Sequence, residues 1–469
     1  FVKRKEQIMN SQSKKMELLG SASIPKALLA MGIPTMIGML VNAFYNLVDA
    51  YFVGGLGESQ MGAISVVYPL GQVVVGLGLL FGNGSASYIS RLLGRGDNEN
   101  ADKVASTALY SSISVGAVII IISMVFLHPI LKLLGATDSI LPYAATYAGI
   151  YIVSCIFNVF NVTMNNIVTS EGAAKTTMWA LLTGAALNIA LDPLFIYVFD
   201  LGVAGAAIAT AISQVVSTCV YLTYILRKKS VFHFRVKDCT YSKEIMSEIF
   251  KIGIPTLVFQ ILTSLSISLI NNAAGNYSAS AIAGMGVVTR LISMGSLSVF
   301  GFIKGFQPIA GYSYGAKKFD RLRESIKTSI LWSTVFCVIF GLVLALFSTA
   351  IVSQFTKGDA EMIRIGATSL KANGITIMLF GFYTVYSSLF LALGKGREGF
   401  ILGACRQGIC FIPVILLLPM VWGLNGILYA QPIADVLSAI ITVFMAIPLH
   451  KRLNEMQKQI ATISTNNKN

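Results

Sequence analysis

Two carboxylates stand alone in apolar surroundings, and amides and a hydroxyl recur beside them at helical spacing. The first is Asp49, near the end of the stretch 32–57, GIPTMIGMLVNAFYNLVDAYFVGGLG, which carries Pro34 near its start. A lone carboxylate in a bilayer costs about 2.5–3.5 kcal/mol on insertion scales, so it normally faces a partner or a water-filled cavity. Thr35, Gly38, Asn42, Asn46 and Asp49 follow one another at spacings of three and four, which places them on one helical face. The second is Asp192, in ALNIALDPLFIY (186–197), with Asn188 four residues earlier on the same face. Pro193 removes a backbone donor and frees a carbonyl one turn back, a frequent device near intramembrane ion sites.

That chemistry is ion binding. A buried carboxyl pair can hold a proton and release it on hydration. The oxygens of Asp, Asn and Thr suit a hard cation such as Na⁺ equally well. The residues leave H⁺ and Na⁺ open; if a metal ion binds anywhere, Asp49 and Asp192 are where Na⁺ is expected.

The rest of the chain must hold this pair in a membrane. Of 469 residues 55% are hydrophobic and 12% charged, with mean hydropathy +0.72, against about 25% charged in soluble domains. The net charge of +14 does not point to nucleic acid, because the basic residues cluster between apolar runs. Six cysteines show no CxxC pair or metal-ligand spacing, and the five in apolar runs read as small buried side chains. Met9 opens a plausible start, MNSQSKK, so residues 1–8 read either as upstream sequence or as a fragment artefact, and no cleavable signal peptide is expected before the first apolar run.

About twenty apolar residues cross a bilayer. On that template the chain is all-α and integral to the membrane, with spans expected at 25–53, 60–88, 102–127, 141–168, 174–198, 203–226, 250–273, 280–311, 325–350, 366–393, 400–421 and 425–448. With a cytoplasmic N-terminus, 28 Lys and Arg fall on the cytoplasmic side and 3 (Lys132, Lys357 and Arg364) on the other. Both termini are therefore expected in the cytoplasm. Counted from the span ends, Asp49, Asp192 and Thr210 all lie in the outer half of the bundle.

The halves repeat at one offset. GIPT at 32–35 returns at 253–256, AISVV (63–67) falls on GMGVV (284–288), Gly94 on Gly315, Gly202 on Gly423 and Gly205 on Gly426, all 221 residues apart. Six spans per half makes these parallel repeats about an axis along the membrane normal, with cargo expected between them. The expected organisation is a tail (1–23), an N-lobe of spans 1–6 (24–226), a basic cytoplasmic linker (227–249), a C-lobe of spans 7–12 (250–449) and a second tail (450–469). At the repeat offset Asp49 falls on Ile270 and Asp192 on Pro413, so the coupling acids belong to the N-lobe alone.

Other polar residues carry weaker signals. Ser154, Asn158, Asn161 and Asn165 share one face of span 4, either lining a cavity or gluing helices. In the C-lobe Arg290 and Asp435 lie near mid-depth and are expected to pair, whereas Lys371 and Arg406 sit near span ends and are expected to reach the interface. No GxxxxGK[ST] motif and no nucleophile–base or metal-ligand constellation occurs, so the expectation is a chain with no catalytic residues, no enzyme activity and no cofactor.

NLVDAYFVGGLG (46–57), YISRLLGRGD (88–97), ALNIALDPLFIY (186–197) and QPIAGYSYGAKK (307–318) resemble the multidrug and toxic compound extrusion (MATE) family, in particular its DinF-type bacterial branch. The resemblance covers all twelve spans. It implies a two-lobed exporter of cationic or amphipathic drugs, driven by inward H⁺ or Na⁺ across the bacterial cytoplasmic membrane, with membrane lipids as surroundings and a monomer expected. Carried over by motif, Asp49, Asn188, Asp192 and Thr210 would form the cation site. Asn42, Asn161 and Asn165, with Asn46 on the same stripe as Asn42, would line the cargo cavity, and Pro34 would let span 1 bend. Lys304 and Lys371 depart from that pattern by adding positive charge to the C-lobe. The alternative, a lipid or lipid-linked glycan flippase of related architecture, expects a basic, lipid-wide cleft and often extra spans; the N-lobe acids and twelve spans weigh against it.

Overall fold

Backbone amides inside a bilayer must be satisfied within the segment that carries them, so apolar runs of this length cross as helices. The computed structural model describes residues 2–356 and 358–466; Lys357 and Lys468 lie outside the described residues. Among the described residues, 12 helices are long and apolar enough to span. In chain order they are Ile24–Gly54, Ser59–Arg95, Asn98–Val125, Leu141–Ser170, Ala174–Val198, Gly202–Leu226, Lys243–Gly275, Ala279–Gly315, Phe319–Leu346, Ala360–Ala392, Gly396–Trp422 and Ala430–Gln459, called spans 1 to 12 below. Several outrun the apolar segments that the sequence marks, because helix continues into polar turns that can cap themselves. Span 7 begins at Lys243, inside the stretch read as linker, where the Ser242 side chain accepts from the Ile245 amide at 3.2 Å. The last helix continues to Asn466, through most of the stretch read as a tail.

Outward faces carry large apolar side chains such as Val125, Leu346 and Phe444, each at least 70% exposed, a surface suited to lipid and not to water. Cys155, Cys337, Cys405 and Cys410 are buried as expected, but Cys219 on span 6 is exposed. In a bilayer an outward thiol carries no penalty.

Spans 1–6 pack on one another, as do spans 7–12, and the two groups meet where spans 1 and 2 cross spans 7 and 8. Glycine makes that seam. A Cβ on Gly253 would lie 2.1 Å from the Leu80 carbonyl oxygen, and one on Gly305 would lie 2.5 Å from the Gly32 nitrogen. Helices without side chains at the crossing approach closely and pack backbone to backbone. Hydrogen bonds across the seam run from mid-depth toward the face that bears the termini. Gln260 donates to Gln72 at 2.7 Å, Asn83 to Thr256 at 2.8 Å and Arg91 to Glu248 at 2.6 Å. The repeat extends to backbone conformation: Gly202 (φ 52°) and Gly423 (φ 57°), 221 apart, are both left-handed where a new helix begins.

The stretch read as an N-terminal tail forms a helix, Val2–Gly20. It lies across the terminal face and touches both halves. Gln12 donates to the Ser230 carbonyl of the linker at 2.8 Å, and Lys15 contacts Tyr224 and buried Glu171 of the N-lobe. Arg321 and Lys318 of the C-lobe donate to carbonyls of Leu19 and Gly20 at 3.1 and 2.7 Å.

Candidate functional site

Span 1 presents Asp49 and span 5 presents Asp192, near enough for each carboxyl group to act on the other. Asn188, one turn before Asp192, donates through Nδ2 to Asp192 Oδ1 at 3.3 Å and reaches Thr210 Oγ1 on span 6 at 3.5 Å. Three helices thus bring together all four residues that the sequence assigns to ion binding. Asp192 is 0% and Asn188 1% exposed. Directly after Pro193 the helix widens into a π-helical turn over Leu194–Val198, a distortion frequent at functional sites.

Asp49 Oδ1, Asn188 Oδ1 and Asp192 Oδ2 are buried without a hydrogen-bond partner. No Lys, Arg or His among the described residues forms an ion pair with either acid. Buried oxygens left bare are costly. A cluster of them around a carboxyl pair is the donor set that a proton or a small hard cation completes.

The asparagines are placed differently. Asn42 and Asn46 lie on an exposed part of span 1, where Asn46 donates to the Asn42 carbonyl at 2.7 Å. Asn161 is buried, donates to Gln214 Oε1 at 2.8 Å and accepts from Thr218 at 3.0 Å. Asn165 donates to Tyr221 at 3.2 Å and accepts from Lys304 of span 8. None of these four is among the residues lining the cavity described next. Pro34 sits inside a continuous span 1 helix, where the Thr35 hydroxyl donates to the Met31 carbonyl at 2.8 Å.

A cavity of about 460 Å³ lies against the seam, mostly on the C-lobe side. Phe259, Val288, Ile292 and Phe300 form its apolar wall, Asn83 and Asn166 reach it from the N-lobe, and Lys304 and Gln307 supply polar groups. The sequence marks Lys304 only as a departure from the family pattern, not as a cavity residue. The signal available there was a lysine in a span with no carboxylate one turn away.

Two C-lobe expectations are corrected. Asp435 pairs with Arg406 at 2.8 Å, not with Arg290, which is exposed. Arg406 is buried, not interfacial, and its guanidinium stacks 4.7 Å from the Phe380 ring. A π-helical turn over Cys405–Ile409 turns it inward. Lys371 is exposed, as its place near a span end suggested.

Twelve spans in two repeated halves around a central cavity are the architecture of a polytopic membrane transporter, not of an enzyme. The MatE family profile matches residues 34–194 and 255–417, one match in each half. The multidrug export protein MepA of Staphylococcus aureus (strain MSSA476) is 32% identical over 91% of this chain and 94% of its own length. MepA of Staphylococcus saprophyticus is 31% identical over 92% and 95%. A MATE protein solved in complex with MaL6 superposes with a TM-score of 0.89 at 26% identity, over 95% of this chain and 99% of that one. The chain belongs to the MatE family.

Proposed function

We propose that the protein is a secondary active multidrug exporter, moving cationic or amphipathic small molecules out in exchange for H⁺ or Na⁺. The observation that carries the reading is the Asp49–Asp192 pair, with a buried, unpartnered oxygen on each acid and a third on Asn188 beside them. It has the donor set of an ion site, and one of its acids stands on span 1, which packs against span 8 at the seam. Resemblance to the MepA exporters supports the cargo class.

In the mechanism the two lobes rock about the seam and expose the cavity to one side at a time. A proton or Na⁺ occupies the Asp49–Asp192 site from outside, cargo is released outward, and ion release to the cytoplasm resets the carrier. One charge moving inward at about 100 mV supplies about 2.3 kcal/mol, enough for about a 50-fold gradient of an uncharged cargo; a monovalent cation leaving in exchange cancels that charge and is driven by ΔpH or ΔpNa alone. The lobes are residues 24–226 and 250–449, both termini are cytoplasmic, and the protein works as a monomer in the bacterial cytoplasmic membrane.

The test is ethidium efflux in everted vesicles with an imposed ΔpH or ΔpNa, comparing the native protein with Asp49→Asn. Efflux should follow one of the gradients and vanish in the variant. Gradient-driven efflux that survives Asp49→Asn refutes the coupling site.

A further inference from the structure

The central cavity is lined by two cationic side chains, Lys304 and Arg406, and by no carboxylate. Arg406 is neutralised by Asp435 at 2.8 Å. Lys304 is not. Its hydrogen bond runs to the Asn165 amide oxygen across the seam, and no carboxylate among the described residues pairs with it. An ammonium has three donors, so two remain for the cavity. One turn on, Gln307 also lines the cavity, and its Nε2 is buried and donates to nothing.

Lys304 and Gln307, three residues apart on one face of span 8, therefore offer a positive charge and unused donors, with the Gln307 amide oxygen as the one acceptor between them. An unpaired cation inside a membrane protein marks a functional position, and an unused buried donor is an unmet demand for an acceptor. An oxyanion answers both. The wall around them is apolar and aromatic, with Phe259 and Phe300 edge to face at 5.9 Å, and a volume of about 460 Å³ suits one drug-sized molecule.

We propose that the cavity takes amphipathic organic anions, with a carboxylate or sulfonate seated on Lys304 Nζ, the Gln307 amide turning to bring its buried Nε2 onto it, and the apolar body against Phe259 and Phe300. The proposal rests on the exporter reading and extends its cargo beyond cations.

The test uses two fluorescent probes with one body and opposite charge, pyrenebutyrate and pyrenebutyl-trimethylammonium, binding to protein in neutral phosphatidylcholine nanodiscs. The native protein should prefer the anion by about tenfold or more, Lys304→Gln should erase that preference, and Lys304→Arg should keep it to within about threefold. Gln307→Leu should weaken the anion alone, and it carries the test together with Lys304→Arg should Lys304→Gln fail to fold. An unchanged preference in Lys304→Gln, or equal binding of both probes by the native protein, overturns the proposal. Gradient-driven ethidium efflux by the native protein separates the two readings. Efflux without an anion preference sinks the subsite alone; a Lys304-dependent preference without efflux sinks the exporter and leaves the subsite standing.

Discussion

Gly94 and Gly315 close on each other's helix. A Cβ on Gly94 would lie 2.1 Å from the Tyr312 carbonyl oxygen, and one on Gly315 would lie 2.1 Å from that of Arg91. Arg91 and Tyr312 are themselves 221 residues apart, like the two glycines, so this is one contact repeated through a twofold axis. Neither position has room for a methyl group. Gly94→Ala and Gly315→Ala should each cost about 1–3 kcal/mol through overpacking, read as a lowered thermal midpoint in detergent. A midpoint equal to that of the native protein would show that the seam yields freely.

Asp192→Asn should abolish gradient-driven efflux as completely as Asp49→Asn, because the two carboxyls share one site. Asn188→Ala should weaken it, since Asn188 bonds Asp192 at 3.3 Å, and Thr210→Val should matter least, at the end of a 3.5 Å contact. Initial efflux rates under fixed ΔpH and ΔpNa rank the variants, and a reversed order would relocate the ion.

Breaking the Arg406–Asp435 pair leaves a buried charge uncompensated. Asp435→Asn should destabilise the protein by about 3–5 kcal/mol, whereas replacing both partners by Met and Leu should recover most of the loss. Thermal unfolding of the single and double variants measures both. A neutral single variant would mean that water already reaches Arg406.

The helix Val2–Gly20 should show protected amides by hydrogen exchange, and Arg321→Ala should release its last turn, since Arg321 holds the carbonyls of Leu19 and Leu18 at 3.1 and 3.3 Å. Burial holds the Lys15 ammonium below its ordinary value of 10.5, with Glu171 opposing. The undocked chain then binds more protons than the docked one in the interval below 10.5, so docking strengthens as pH rises through it. Protection corrected for intrinsic exchange should increase from neutral to alkaline pH, and a decrease would assign the dominant role to the Glu171 ion pair.

The spans were legible because about twenty apolar residues admit one structure in lipid, and the halves because GIPT, Gly94 and Gly202 all return at 221. Asp49 and Asp192 stood out as single acids in apolar runs, and Asn188 and Thr210 followed from helical spacing and depth. The partner of Asp435 was not legible. Arg406 reaches it through a local π turn at Cys405–Ile409, and such a widening leaves no mark in residue spacing. The helix Val2–Gly20 was hidden for another reason: its sequence is polar, and its order comes from contacts with segments more than 200 residues away.

Span 1 carries Asp49 toward one end and Gly32, wedged against Gly305, toward the other. The 17 helical steps from one to the other make a rod of about 25 Å. On the exporter reading proposed above, it would serve as a lever whose load is the ion and whose fulcrum is the glycine crossing. Pro34 stands two residues from that fulcrum, where a small change of angle gives the largest travel at Asp49.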